Sequence, residues 1–411
     1  MDVLIQKFGG TSLADATTRK HAIKHIQASK REGYKVVVVV SAIGRAPSPY
    51  ATDSLLALVN YPNGKQSKRE QDLLLSCGEI ISAVVLSNEL KQEGLHAIAL
   101  TGAQAGLMTT DDFTAAKIKA IETDRLKDEL LVNDVAVVAG FQGETATHET
   151  TTLGRGGSDT SAAALGAALD AKFIDIFTDV DGIMTADPRV VKDARTLEIA
   201  SYTDICNLAY QGAKVVHPRA VEIAMKAKIP IRVRPSNGTG LGTLVTGSTD
   251  NDIEVNIPDR LITGIAHMSG ITQVKIVSQE PAGLLPAQIF EAMAEASISV
   301  DFINIFPSGV MYTIPELLSE KAEKILRKLN YQPRLIHNCA KVSIVGAGMT
   351  GVPGVTAKMV QSLVNEGIEI LQSADSHTTI WVLINEKDLF TAINALHQAF
   401  ELNDQMIETN N

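Results

Sequence analysis

Aromatic residues are scarce in this 411-residue chain, at 4% against 45% hydrophobic residues in all, with a single Trp. A core short of rings must be filled by Val, Ile, Leu and Ala, the material of layers between a sheet and its helices. Cysteine is rarer still. Cys77, Cys206 and Cys339 are scattered, with no CxxC and no His cluster beside them. That excludes a disulfide framework and a zinc site, and reads as reduced thiols in a cytoplasmic protein. Positive charge is also short. The net charge is −10 and no basic stripe occurs, which excludes a nucleic-acid binder. No apolar stretch reaches the ~18 residues that a membrane span requires, and Met1-Asp2-Val3 leads straight into a strand with no signal-peptide pattern. The expectation is a soluble protein of two or three domains.

What is present is a βα alternation. VLIQKF, a helical stretch to Arg31 and KVVVVVSA form an opening βαβ unit; HAIALTG, DVAVVAGFQG, FIDIFTDVDG and IPIRV follow. Short apolar runs without alternation are strands covered on both faces, so a mostly parallel sheet is predicted. Ligands of such sheets bind beyond the carboxyl ends of the strands, where this sequence places its glycines.

From Pro235 to Asp259 the texture becomes rich in Gly, Thr, Asn and Asp, a boundary signal. Beyond it the pattern βαββα occurs twice, first from TQVKIVS to PELLSEKAEKILRKL and again from KVSIVG to KDLFTAINALHQAF. The period is roughly 70 residues, longer than short solenoid repeats. A tandem pair of small domains is expected, the second lacking a last strand that must come from elsewhere. The domain boundaries predicted are 1–235, a linker 236–260, then 261–338 and 339–411.

Two glycine loops carry the chemistry. Lys7-Phe8-Gly9-Gly10-Thr11-Ser12 follows the first strand, where glycines let backbone N–H groups approach phosphate oxygens and Lys7 adds a mobile cation. It is not a Walker A loop, and a tight turn with a solvated lysine is the plain alternative. Leu153-Gly154-Arg155-Gly156-Gly157-Ser158-Asp159 opens an Ala-rich helix; Arg155 suits a carboxylate, and Asp159 is either a helix cap or a catalytic group. Thr178-Asp179-Val180-Asp181-Gly182, followed by Asp187 and Arg189, is a candidate nucleotide loop or merely an Asp/Gly turn. Glu79 lies in an apolar stretch and needs a partner, either a neighbouring loop or a ligand ammonium. Lys214 is a solvated charge or a second phosphate contact. Gly346-Ala347-Gly348-Met349-Thr350-Gly351 fits GxGxxG after a strand, but the chain beyond it is too short for a full dinucleotide domain, and Pro353 interrupts the turn.

KFGGTS, VVVVSA, the TDS at Thr52, LLLSCGEIISA, TGAQAG, VAGFQG, TLGRGGSD, FTDVDGIMTADPR and QGAKVVHPRA, in this order and spacing, resemble the aspartokinase family across almost the whole chain. The C-terminal pair resembles tandem ACT domains, and DRLITGIAH, GVPGVT and ILQSADSHTTIWVLI resemble the diaminopimelate-sensitive bacterial branch. The resemblance implies an α/β amino-acid-kinase fold, a three-layer αβα domain, followed by two ferredoxin-type α+β ACT domains. It implies phosphorylation of L-aspartate by ATP with Mg²⁺, the first step toward lysine, diaminopimelate, threonine and methionine.

Carried over by motif, Lys7 would stabilise the phosphoryl group in transfer and Asp159 would hold Lys7. Glu79 would take the substrate ammonium and Arg155 its α-carboxylate, with Ser41, Thr52, Gly156, Gly157 and Ser158 lining the pocket. ATP would contact Lys7, Phe8, Gly9, Gly10, Thr178, Asp179, Met184, Asp187, Arg189, Lys214 and Val215; Met184 stands where many relatives carry Tyr. No residue is assigned as a metal ligand. The ACT pair implies a feedback amino acid (diaminopimelate, lysine or threonine) near Gly283, Asp301 and Val355, and a homodimer through the ACT domains. Other amino-acid kinases, acting on glutamate or acetylglutamate, a uridylate kinase and a non-catalytic sensor are the rival readings.

Overall fold

The computed structural model describes residues 2–238, 240–247, 249–250, 253–254, 260–277 and 283–403. Parts of the predicted linker, including Asp259, therefore lie outside the described residues, as do 278–282 and the chain end. The chain divides into two compact units. The first comprises Met1–Ile183, Thr196–Ala209 and Lys214–Pro258; the second comprises Met184–Arg195, Tyr210–Ala213 and Asp259–Asn411.

In the first unit an eight-stranded sheet runs in the order Ile199–Ser201, Thr243–Thr246, Ile231–Pro235, Phe173–Thr178, Val3–Phe8, Lys35–Val40, Val135–Ala139, Ala97–Leu100. The six strands from Ile231–Pro235 onward are parallel, and Thr243–Thr246 lies antiparallel beside them. Val36 to Val40 and Val135 to Ala139 are buried without interruption, as strands covered on both faces must be. Val36, Val38, Val40 and Phe8 pack with the helices Ala16–Arg31 and Lys68–Gln92. The opposite face receives the helix Gly157–Leu169. Its small residues let it settle onto the sheet: a side chain at Gly166 would meet Ile174 at 2.9 Å. The result is a three-layer αβα arrangement. A small sheet of Ile118–Ile121, Leu107–Thr109, Gln142–Glu144 and Thr150–Thr152 leads into the second glycine loop.

The helix Lys68–Gln92 has the length and mean hydropathy to cross a membrane, although no unbroken apolar run signals it. Half of its most apolar window is buried, and Leu86 and Leu90 sit in the core against the sheet. Asp72 and Glu79 are buried along the same helix. It is a core helix of the first unit.

The second unit is built on an antiparallel six-stranded sheet, Asp301–Phe306, Gly309–Pro315, Gly264–Val277, Arg334–Val345, Thr379–Asn385, Gln372–Asp375. The helices Leu285–Glu295 and Ser319–Lys328 cover Val274, Ile276, Val310 and Tyr312; Val355–Asn365 and Leu389–Ala399 cover Ile265, Val342, Ile344 and Val382. The strand missing from the second copy is Gly264 to Met268, which pairs with Lys341 to Val345 ahead of the first copy in sequence. Register breaks between Met268 and Gln273 re-aim the same long strand, so that its remainder pairs with Gly309–Pro315 in the first copy. Sequence repeats alone hide this exchange, because each long strand serves both halves.

The GxGxxG run has a packing reason. A Cβ on Gly346 or Gly348 would collide with the backbone of Leu261 or Arg260, so these glycines admit a neighbouring chain segment.

Candidate active site

Alternation along the first strand separates two kinds of residue. Gln6 and Phe8 face the helices Ala16–Arg31 and Lys68–Gln92: Gln6 bonds Ser29, and Phe8 stacks on Phe177 with centroids 4.5 Å apart. Ile5 and Lys7 face the helix Gly157–Leu169. Phe8 is fully buried, so only its backbone is left for a nucleotide.

Lys7 Nζ lies 2.8 Å from Asp159 Oδ1, both side chains being largely buried. Asp159 Oδ2 accepts the backbone N–H of His217 at 3.2 Å. The helix makes no side-chain cap bond, so the carboxylate at its first turn serves Lys7 and His217 instead. Gly156, left-handed at φ 72°, is the residue before that helix, and any side chain there would strike the His217 ring. Burial holds the His217 imidazole below its ordinary range, with Asp159 pulling the other way.

The two glycines of the first loop differ. A Cβ on Gly10 would sit 2.5 Å from Ala42 O and 2.6 Å from Gly44 O, and Gly10 O accepts the Gly44 N–H at 2.9 Å. Gly10 is therefore a close-packing position. The nearest atom to a Cβ on Gly9 is Lys7 Nζ at 3.5 Å, so Gly9 keeps the space beside the ammonium free. Ser41, at the end of the next strand, donates its hydroxyl to Ser158 Oγ at 3.0 Å.

Glu79 is 3% exposed. Its Oε1 accepts the Ala42 N–H at 3.0 Å, while Oε2 is enclosed without a hydrogen-bond partner among the described residues. Burial, only partly offset by the Ala42 bond, pushes this carboxyl up to about 8. Thr52 begins the helix Thr52–Leu58, whose Leu55 lies against Gly78, next to Glu79. Arg155 stands exposed between two left-handed glycines, Gly154 and Gly156, and forms no ion pair among the described residues.

Thr178 ends the strand beside Val3–Phe8 and Asp179 follows it; Asp179 is exposed, with Arg45 Nη2 at 3.9 Å. Lys214 is exposed and Val215 half-buried, just before His217. Met184, Asp187 and Arg189 belong to the second unit. There Asp187 pairs with Arg189 at 2.7 Å, which holds its carboxyl below the usual range. Ala186 and Val191 join that unit's core. The FTDVDGIMTADPR motif is thus divided between units, a division that its continuous text does not reveal.

In the second unit Val355 lines a cavity of about 560 Å³, together with Thr350, Thr356, Asp375 and His377. Neither Gly283 nor Asp301 lines it. Asp301 instead holds the buried ammonium of Lys341 at 2.6 Å. Sequence reading missed Lys341, His217 and Asp72; of the three, Lys341 alone carried a signal, a charge inside the apolar run CAKVSIV. No group of three or more His, Cys, Asp or Glu side chains gathers to hold a metal among the described residues.

The profile of the amino acid kinase family matches residues 2–235, and an ACT domain profile matches residues 334–398. Aspartokinase 1 of Bacillus subtilis is 57% identical over 98% of this chain and 100% of its own length. An aspartokinase of Geobacillus stearothermophilus is 40% identical over 98% of both. Among solved structures, E. coli aspartokinase III in complex with aspartate and ADP superposes with a TM-score of 0.78 at 26% identity, covering 97% of this chain and 99% of that one. The same E. coli enzyme with lysine and aspartate, in the T-state, gives a TM-score of 0.74 at 25% identity, covering 97% of this chain and 100% of that one.

Proposed function

The chain belongs to the aspartokinase family, and from that premise we propose that it transfers the γ-phosphoryl group of ATP to the β-carboxylate of L-aspartate, giving 4-phospho-L-aspartate. The observation that carries this reading is the Lys7–Asp159 pair at the carboxyl end of the sheet, beside the open space over Gly9. The relative with aspartate and ADP supports the two substrates.

The nucleophile needs no general base. A carboxylate with an ordinary pKa near ~4 is ionised at neutral pH, so the task is in-line positioning and cancellation of charge around the phosphoryl group. Lys7 supplies a cation at that place. Asp159 fixes its ammonium, and the His217 N–H fixes Asp159. Magnesium enters as part of the substrate, MgATP, held by phosphate oxygens. Arg155 clamps the α-carboxylate. Glu79, with one oxygen already on Ala42 and the other unpartnered, takes the ammonium. Ser41, Thr52 and the 156–158 turn complete the aspartate pocket. Thr178, Asp179, Lys214, Val215 and the backbone of residues 8–10 contact the nucleotide.

The division into a catalytic region 1–235, a linker 236–260 and ACT regions 261–338 and 339–411 is part of the same reading. So are feedback control by diaminopimelate, lysine or threonine, a homodimer formed through the ACT regions, and a cytoplasmic enzyme at the head of lysine, diaminopimelate, threonine and methionine synthesis. The cavity at Val355, with Asp375 to meet an ammonium, is the place of the effector. Asp301, held by Lys341, and Gly283 are the candidate effector contacts of the first ACT copy.

The test is ADP release measured with aspartate, then with glutamate and acetylglutamate, followed by single additions of diaminopimelate, lysine and threonine. Turnover with aspartate alone and inhibition by one additive is the expected result. Preference for another acceptor would sink the assignment.

A further inference from the structure

Asp72 is fully buried on the helix Lys68–Gln92, about two helical turns before Glu79 and on the same face. Among the described residues it pairs with no Lys or Arg. Its carboxylate instead gathers neutral donors from two separate segments. The Thr114 N–H reaches Oδ2 at 2.9 Å, the Thr152 N–H reaches Oδ2 at 2.8 Å, and the Thr152 hydroxyl donates to Oδ1 at 2.7 Å. The two segments are also tied to each other, since Ala116 N–H donates to Thr152 O at 2.9 Å.

Thr152 ends the last strand before the second glycine loop, and Arg155 follows within one turn of chain. Gly154, at φ 73°, passes so close to Thr114 that a Cβ there would lie 3.1 Å from its carbonyl oxygen. Gly157 N–H then closes the turn onto Gly154 O at 3.0 Å. The lead-in to Arg155 is therefore pinned on the helix that carries Glu79. Burying a carboxylate costs stability unless hydrogen bonds compensate, and a neutral core residue could have joined these segments without that cost.

We propose that Asp72 is a positioning residue for amino-acid recognition: it fixes the Gly154–Arg155–Gly156 turn relative to Glu79. A substrate carrying carboxylate and ammonium on one carbon then meets both partners at a set separation. This rests on the reading of Arg155 and Glu79 given above.

The test is a double-mutant cycle on the full-length enzyme. Asp72→Asn turns an amide N–H₂ toward N–H donors and breaks at least one arm. Thr152→Val removes only the hydroxyl donor and covers the case in which Asp72→Asn does not fold; Thr152→Ser restores that donor. Each of Asp72→Asn and Thr152→Val raises the KM for aspartate roughly tenfold, leaves the KM for ATP within about twofold, and has no further effect when Arg155 is already Ala. Thr152→Ser returns the KM toward wild type. Equal rises in both KM values, or full additivity with an Arg155→Ala that itself raises the aspartate KM, would overturn the positioning role alone. An Arg155→Ala enzyme with an unchanged aspartate KM removes the clamp and the proposal together.

Discussion

Lys7 Nζ lies 2.8 Å from Asp159 Oδ1, and the backbone N–H of His217 donates to the other oxygen of that carboxylate at 3.2 Å. A lysine on a free surface wanders through its rotamers; this one is held by a partner that is itself held. Pre-placed charge is worth most where charge develops in the transition state. Lys7→Ala is therefore expected to lower kcat by about 100-fold or more, with the KM for aspartate changed only a few-fold. Steady-state kinetics with both substrates varied would check it, and an unchanged kcat removes Lys7 from the chemistry.

Arg155 sits differently. It is exposed, unpaired among the described residues, and set between two left-handed glycines that fix the turn rather than the side chain. Such a group acts on ground state and transition state alike, so its loss is seen as binding. Arg155→Ala should raise the KM for aspartate by about 10- to 100-fold with kcat within about threefold. A normal KM would refute the carboxylate clamp.

Much of this site was legible because local chemistry repeats in local sequence. Lys7 after a strand and before two glycines, and Gly156-Gly157 at a helix start, mark candidate anion-binding turns without reference to the rest of the chain. Asp72, His217 and Lys341 were not legible in the same way. Each acts through a partner distant in sequence, Thr152, Asp159 or Asp301, and periodicity places a residue on a face without naming what lies opposite. The second unit shows the same limit. Its repeated βαββα text is easy to see, but the bulged strand Gly264–Val277 shared between both halves depends on register, which no repeat discloses.

The cavity beside Val355 offers small residues, Gly351 and Thr356, next to Asp375 and His377. Filling it tests regulation apart from catalysis. Thr356→Trp should raise the concentration of the inhibiting amino acid needed for half inhibition by about tenfold or more, while kcat without effector stays within about twofold. Unchanged inhibition would move the effector elsewhere.

Thr185 Oγ1 and His397 Nε2 are 3.0 Å apart inside the second unit, joining the Met184–Arg195 segment to the last helix. Burial lowers the His397 pKa below its ordinary 6.5. Above about pH 6.5 the imidazole is neutral in both folded and unfolded chains, and its full contribution is present. As pH falls through that value the unfolded chain takes the proton first, so stability is lost. The thermal midpoint should drop between pH 7.5 and 5.5 by on the order of 2 °C more in the wild type than in His397→Gln. Parallel profiles for the two proteins would contradict this.

Glu79 reverses that sign. Its carboxyl is raised from an ordinary 4.5 to about 8 by burial. Below about pH 4.5 both states hold the proton; between 4.5 and 8 the unfolded chain ionises and the folded one does not, so this group's contribution declines as pH rises. The same proton stands in the way of the ligand. An ammonium placed against Oε2, which has no other partner, favours the ionised acid. Below pH 8 aspartate must therefore expel a proton to bind, and above it the site is already charged. The KM for aspartate should fall about tenfold or more between pH 6.5 and 8.5, and Glu79→Gln should flatten the profile at a higher KM. Titration calorimetry at pH 7 in two buffers of different ionisation heat should detect the released proton in the wild type and none in the variant. A flat wild-type profile would mean that Glu79 only caps the Ala42 loop and never meets the substrate.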